Sequence, residues 1–258
     1  DQGATWAQDK AIARVRLVVE QGADLVDIGG IKAAPGVEIG EAEERERVVD
    51  FVAAVRDEHP DLIISVDTWR ASVAEAVIAV GADVINDAWG GADPELAQVV
   101  ADAGVSMVVT HTGGVTPRTR PHRIDYDDVV ADVVTSLVGQ AERAVSLGAD
   151  PTRIIIDPAH DFGKNTWHSL EVTRRLAEVT SLGWTSLVSL SNKDFVGESL
   201  DLPVGERLTG TLAATAICAW QGANIYRVHE VIETRQVLDM VSVIQGQLAP
   251  KRTVRGLA

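Results

Sequence analysis

Residues 81–91, GADVINDAWGG, place Gly81-Ala82-Asp83 ahead of the apolar pair Val84-Ile85, which ends in Asn86 and Asp87. The same order recurs as GADLVDIGG from Gly22, GADPTRIIIDP from Gly148 and GANIYRVHE from Gly222. Each instance follows a stretch with helical periodicity. A glycine there suits the left-handed residue just past a helix C-terminus, where a side chain would cost about 1 kcal/mol. The recurring unit is therefore a helix, a tight turn and a short strand that ends on a polar residue. Strands without that lead-in are LIISVDT, MVVTH and SLVSLS, so the strands end near Asp27, Asp67, Asp87, His111, Asp157, Ser191 and His229. All are continuously apolar rather than alternating, as a parallel sheet buried on both faces requires.

The segments between the strands are long enough for crossover helices. The first opens on Thr5-x-x-Gln8, a capping-box spacing, and precedes the first visible strand. A helix arriving there implies an earlier strand before Asp1, and eight strands close a (β/α)8 barrel. A doubly wound open sheet would also alternate, but it usually has fewer strands. The expectation is an α/β chain, a (β/α)8 TIM barrel whose first strand is missing from this chain. No linker, low-complexity tract or break in composition divides it, so residues 1–258 are expected to form a single domain.

Charge narrows the partners. Twenty-three basic against 38 acidic residues give a net charge of −15, which opposes nucleic acid and anionic membrane as ligands. No run of 18 or more apolar residues occurs, so a membrane span is not expected. A small anionic substrate would need a pocket whose local charge reverses the global one. The single cysteine, Cys218 in AICAW, excludes an internal disulfide and suits a reducing compartment as a core thiol.

In a barrel, the C-terminal strand ends and the loops after them build the site. Here those ends carry Asp27, Asp67, Asn86 with Asp87, His111, Asp157, Asn192 with Lys193, and Arg227 with His229. Buried charges are costly unless paired, so folding alone explains such a ring poorly. Individual members have plainer readings: Asp67 as a helix cap, Asp157 as the turn residue before Pro158, His111 as a core histidine. Asp87 should face away from the side taken by Asn86, whereas Arg227 and His229, two apart, should share a side. Arg227, His229 and Lys193 offer donors for phosphate-type oxygens. Asp67, Asn86 and Asp157 match a flat ring bearing N–H and C=O groups, and Phe162 is a candidate stacking ring. His160 and His168 are too irregularly placed for a metal cage, and no zinc or Walker-type spacing is present, so no metal ligands are expected in this chain.

The motifs DIGG with its following PG, SVDTW, IND with its following GG, DPAHDFGKN, NKDFVG and RVHEV occur in order along nearly the whole chain. In that combination the sequence resembles the dihydropteroate synthases, and most of all a divergent second copy of the actinobacterial type. The resemblance implies a cytoplasmic homodimer that takes a small-molecule pterin in folate biosynthesis. The family's transferase reaction condenses hydroxymethyl-dihydropterin pyrophosphate with 4-aminobenzoate. Asp67, Asn86, Asp157, Phe162 and Lys193 would bind the pterin; Lys193, Arg227 and His229 would serve the departure of pyrophosphate. Mg2+ would accompany the pyrophosphate, its asparagine contact falling in the loop before Asp1. The helix ERLTGTLAATAICAWQ is small-residue-rich and suits a neighbour or the core equally.

Four departures set this chain apart. Ala33 and Ala34 stand where the family has threonine and arginine, leaving Lys32 as the loop's one charge after Asp27. Asn192 and Asp194 replace an arginine and a serine near the seat of the 4-aminobenzoate carboxylate. His160 and Asp161 add bulk and charge expected beside the pterin. THTGG loses a further arginine. An added anion at about 4 Å would repel that carboxylate by roughly 4 kcal/mol at an effective dielectric of ~20. The expectation is a pterin pocket retained with weak or no condensation. The alternatives are an active synthase in which Lys32 compensates, a pterin-sensing binding protein, a Schiff-base lyase built on Lys193, and a corrinoid-dependent methyltransferase.

Overall fold

The computed structural model describes residues 8–119 and 124–255. The expected capping residue Thr5 lies outside them. The elements run α1 (Gln8–Glu20), β1 (Leu25–Gly29), α2 (Glu41–Glu58), β2 (Ile63–Asp67), α3 (Ala71–Ala79), β3 (Val84–Asp87), α4 (Leu96–Ala103) and β4 (Ser106–Thr110). They continue with α5 (Val129–Ser146), β5 (Ile154–Asp157), α6 (Thr166–Arg174), α7 (Ala177–Thr180), β6 (Thr185–Ser189), α8 (Asp194–Leu200), α9 (Leu208–Trp220), β7 (Ile225–Arg227) and α10 (Val231–Ile244). The seven strands pair in sequence order, every pair parallel, in a nearly closed barrel.

The glycine of each repeat adopts the left-handed backbone expected of it, with φ of 93°, 107°, 107° and 94° at Gly22, Gly81, Gly148 and Gly222. Among the described residues β1 and β7 are not paired to each other, and side chains lace that seam instead. Arg14 of α1 donates to the His229 carbonyl at 2.8 Å, and Arg235 of α10 to the Gly22 carbonyl and the Asp24 carboxylate, both at 2.6 Å.

Period-two alternation sorts the strands into two buried faces. Facing the helices, Ile64, Val66, Ile85, Val109, Ile156 and Val188 join one large core with Val48, Val52, Val77, Val100, Leu137 and Leu176. Facing inward, Val84, Val108, Ile155 and Leu187, with Leu25 and Ile225 against them, form a separate apolar plug. Two residues further along each strand the inward positions turn polar: Asp27, Asn86, Thr110, Asp157, Ser189 and Arg227. Ser65 and Asp67 complete that side on β2. The plug thus fixes the floor on which the polar ring sits. Full burial of each plug residue contributes roughly 1.5–3 kcal/mol. Cys218 is fully buried, as its apolar neighbours suggest.

Three strand ends differ from expectation. β1 runs two residues past Asp27 to Gly29, β6 stops at Ser189, two short of Ser191, and β7 stops at Arg227, two short of His229. His229 therefore lies beyond the pleat, and strand alternation does not place it beside Arg227. No helix among the described residues is long and apolar enough to cross a membrane.

Candidate functional site

Asp27 is the hub of the ring. Its carboxylate accepts from Ser65 Oγ at 2.7 Å, from Asn86 Nδ2 at 3.3 Å to each oxygen, and from Arg227 Nε at 2.6 Å. The Asp27 side chain is 7% exposed and that of Arg227 41%, so the pair is sealed on the acid's side and open on the base's. This contact raises the guanidinium pKa, Asp27 being its largest cause. The terminal nitrogens of Arg227 make no hydrogen bond among the described residues, and they remain available at the mouth. Asn86 is turned inward as expected. Asp87 points away and accepts from the backbone of Trp89 and Gly91 at 3.0 and 2.6 Å, so it shapes its own loop.

The Asp67 carboxyl makes no hydrogen bond among the described residues. Burial first, then the charge of Asp27, lifts it from 3.8 to about 7. It is not a helix cap: the first amide of α3, that of Ala71, bonds to Asp93 instead, at 2.8 Å. Thr68, beside it, donates to the fully buried Glu44 at 2.8 Å, and Arg70 pairs with the same carboxylate.

Asp157 accepts from the Ala159 amide at 2.7 Å, and burial raises its pKa against the pull of that bond and of Lys193. The Lys193 ammonium sits 4.6 Å over the Phe162 ring. It makes no hydrogen bond among the described residues, and burial lowers its pKa. Phe162 leans on Trp89 with ring centres 5.3 Å apart, and Trp89 meets Trp69 edge-on at 6.3 Å. An aromatic wall therefore backs the lysine. His229 is half-buried; burial, then nearby cations including Arg227, lowers it to about 4. It is a neutral imidazole near neutral pH, and a hydrogen-bonding group rather than a charge for an anion.

Beneath Phe162 lies a residue that strand-end logic does not single out. Lys164 Nζ donates to His111 Nδ1 at 2.6 Å and contacts the carbonyls of His111, Ala159 and Phe162 at 3.2, 3.2 and 3.0 Å. His111 is fully buried, and its Nε2 bonds to Asp132 at 2.7 Å. With Nδ1 accepting from the lysine, Nε2 carries the proton and donates to the carboxylate. Burial, then Lys164, drops His111 to about 4; burial drops Lys164 to about 7. His111 is thus a partnered core histidine. A lysine between Gly163 and the cap Asn165, in the motif that brings Phe162, was the available signal.

Two of the four departures take a different physical form from that expected. His160 does not crowd the mouth. It is fully buried, stacked on Phe195 at 5.5 Å and bonded to Thr173 at 3.0 Å. Asp161 accepts from Ser169 Oγ at 3.0 Å and from the Phe195 amide at 3.2 Å, tying the loop after β5 to α8. Asp194 is 65% exposed and pairs with Arg207 at 3.0 Å. Arg207 also holds the carbonyls of Asn192 and Lys193, at 2.9 and 3.2 Å. The negative charge of Asp194 is thereby largely offset, and its repulsion of a carboxylate falls well below the few kcal/mol of an unpaired anion. Asn192 keeps its backbone at φ 58°, a left-handed position that asparagine tolerates.

The loop after β1 departs as expected in chemistry. Ala33, Ala34 and Lys32 are exposed. The loop is held through its backbone: Arg118 donates to the carbonyls of Ala34 and Val37 at 3.3 and 2.6 Å, Arg70 to Ile39 at 2.7 Å, and Arg47 to Gly30 at 2.9 Å. Among the described residues no group of three or more His, Cys, Asp or Glu is placed to hold a metal ion.

Comparison with known proteins agrees with this geometry. The model of the family described as pterin binding enzyme matches residues 1–229. The chain is 50% identical to the protein named inactive dihydropteroate synthase 2 of Mycobacterium leprae (strain TN), over all of this chain and 90% of that protein. It is 36% identical to the dihydropteroate synthase of Bacillus subtilis (strain 168), over 96% of this chain and 84% of that one. A crystal structure of Yersinia pestis dihydropteroate synthase with a sulfonamide drug superposes with a TM-score of 0.90 at 32% identity, covering 95% of this chain and 89% of that one.

Proposed function

The chain belongs to the pterin-binding enzyme family, and on that premise we propose that its barrel mouth binds a reduced pterin but does not condense it with 4-aminobenzoate at an enzymatic rate. One observation carries the binding half: the Asp67 carboxyl, the Lys193 ammonium and the terminal nitrogens of Arg227 all reach the mouth without a hydrogen-bond partner among the described residues. Charged side chains held partly out of water at the end of an apolar barrel, with no protein hydrogen bond, cost stability, and a bound ligand offsets that cost.

In this reading Asp67, Asn86 and Asp157 take the N–H and C=O edge of the bicyclic ring, and Lys193 and Phe162 take its faces and carbonyl. Arg227 stabilises the negative charge of the diphosphate, with His229 as a neutral donor. The described residues offer Mg2+ no cage of three or more His, Cys, Asp or Glu side chains, and in this reading the ion enters as a companion of the diphosphate oxygens. Loss of the condensation follows from the loop after β1, which has exposed Ala33 and Ala34 where the family's threonine and arginine would stand, with Lys32 beside them. The relatives at half identity that bear the name inactive support the same conclusion.

The Asp194–Arg207 pair favours a second reading, an active synthase, because it spares an incoming carboxylate much of the expected repulsion. Titration calorimetry with hydroxymethyl-dihydropterin pyrophosphate, then with 4-aminobenzoate, separates the two. Pterin heat without aminobenzoate heat or product supports the first, turnover at an ordinary enzyme rate supports the second, and no pterin heat ends both.

The reading includes a homodimer in the cytoplasm. Its support is an apolar face in which Ile217 and Trp220 of α9 and Met240 and Ile244 of α10 are each at least half exposed. Patches of that kind mark subunit contacts.

A further inference from the structure

Lys164 is half-buried beneath the site, reaches Phe162 only through its backbone carbonyl, and plays no part in the binding scheme above. Its surroundings are built for it. Ala159, Asp161 and Gly163 have φ of 50°, 68° and 59°, three left-handed residues among five. That backbone path turns the Ala159 and Phe162 carbonyls inward onto one ammonium, with the His111 carbonyl and imidazole closing the far side. Left-handed non-glycine residues cost energy and persist only when something over-determines them. Here the ammonium does so, in the way a bound metal ion organises a loop of carbonyls.

The same loop carries the two groups that face the ligand on this side. The Ala159 amide holds the Asp157 carboxylate, and Phe162 supplies the ring under Lys193. We propose that Lys164 is a positioning residue whose ammonium, anchored by His111 and Asp132, holds the loop after β5 in the shape that presents Phe162 and Asp157 to the bound ring. The proposal relies on the pterin reading for the identity of the ring, and not for the loop.

The chain from Lys164 through His111 ends on Asp132, whose side chain is 53% exposed, so the buried amine is hydrogen-bonded outward to solvent. Its charge therefore responds to pH. The groups around it are Asp132 from α5, Asp157 from β5, Asp161 and His160 from the loop, Lys193 from the segment before α8, His111 after β4 and His168 from α6. The three carboxylates favour the ammonium; burial and Lys193 oppose it. A neutral amine donates two hydrogen bonds instead of three and leaves an inward carbonyl unmet. The loop should loosen and ring binding weaken as pH rises through the neutral range.

The full chain has five lysines, so ε-13C-lysine labelling gives resolvable signals, with Lys164 assigned by its loss in Lys164→Met. Without ligand, Lys164 should titrate far below the surface lysines, and Asp132→Asn, a change at an exposed position, should lower its midpoint. Amide exchange across residues 157–163 should accelerate at least ~10-fold in Lys164→Met. With 6-hydroxymethyl-7,8-dihydropterin as probe, Lys164→Met should weaken binding ~10- to 100-fold, the range for losing one buried charged hydrogen bond. It should also erase the part of the pH profile that Asp132→Asn displaces; Asp67 titrates in the same range but is retained in both variants. Wild-type exchange in Lys164→Met, or an Asp132→Asn midpoint unmoved, overturns the proposal. If wild type does not bind the pterin, the functional reading falls, while the titration and exchange results still decide the role of Lys164.

Discussion

Replacing Asp67 by asparagine should make the folded protein more stable at pH 8 while weakening ligand binding. The carboxyl is raised from 3.8 to about 7, chiefly by burial and then by Asp27. A raised acid binds its proton more tightly folded than unfolded, so stability falls as pH climbs from about 4 to about 7 and levels off above that. At 1.36 kcal/mol per tenfold change in proton affinity the full cost at pH 8 is about 4 kcal/mol. Solvent at the half-open mouth reduces it, and a gain of about 2 kcal/mol for Asp67→Asn is expected. Asparagine has the same shape and needs no counter-charge. Urea unfolding of both proteins at several pH values between 4 and 8 reads the effect, and the difference should close towards pH 4. Destabilisation by Asp67→Asn at pH 8, or a difference that ignores pH, would refute the claim that a half-buried carboxylate without a hydrogen-bond partner is kept here for a ligand.

Further outcomes are expected. Glu44→Gln, at a fully buried carboxylate held by Thr68 and Arg70, should cost about 1–3 kcal/mol in the same assay, because Arg70 is left without its charge partner. Gly163→Ala should destabilise by more than about 1 kcal/mol: φ is 59°, and a Cβ would run into the Thr112 carbonyl. Ala34→Arg with Asn192→Arg should produce measurable 4-aminobenzoate binding by calorimetry where the wild type shows none; unchanged heats would count against the account of lost condensation. If the proposed homodimer forms through this face, Trp220→Glu with Met240→Glu, both at exposed positions, should leave only monomer in sedimentation velocity without lowering thermal stability.

The barrel was legible in the sequence because its signals are local. A glycine after each helix and a run of β-branched residues follow from backbone conformation and strand propensity, and both hold wherever the segment ends up. Asp67, Asn86 and Asp157 could be picked out for the same reason, since each closes an apolar run and parallel topology sends every such end to one rim, with Lys193 in the loop after β6. Even the inward turn of Asn86 and the outward turn of Asp87 follow from a period of two.

What the chain could not reveal by itself is how charges are partnered across long separations. Asp194 reads as an intruding anion until Arg207 closes on it; His160 reads as bulk in the mouth until a left-handed Ala159 turns it into the core against Phe195. Lys164 and His111 are 53 residues apart, and Asp27 and Arg227 are 200 apart. Ion pairs and hydrogen bonds act over a few ångströms and carry no mark along the sequence. Only closing the ring of strands sets which carboxylate is neutralised, which is held for a ligand, and which lysine lies beneath the pocket.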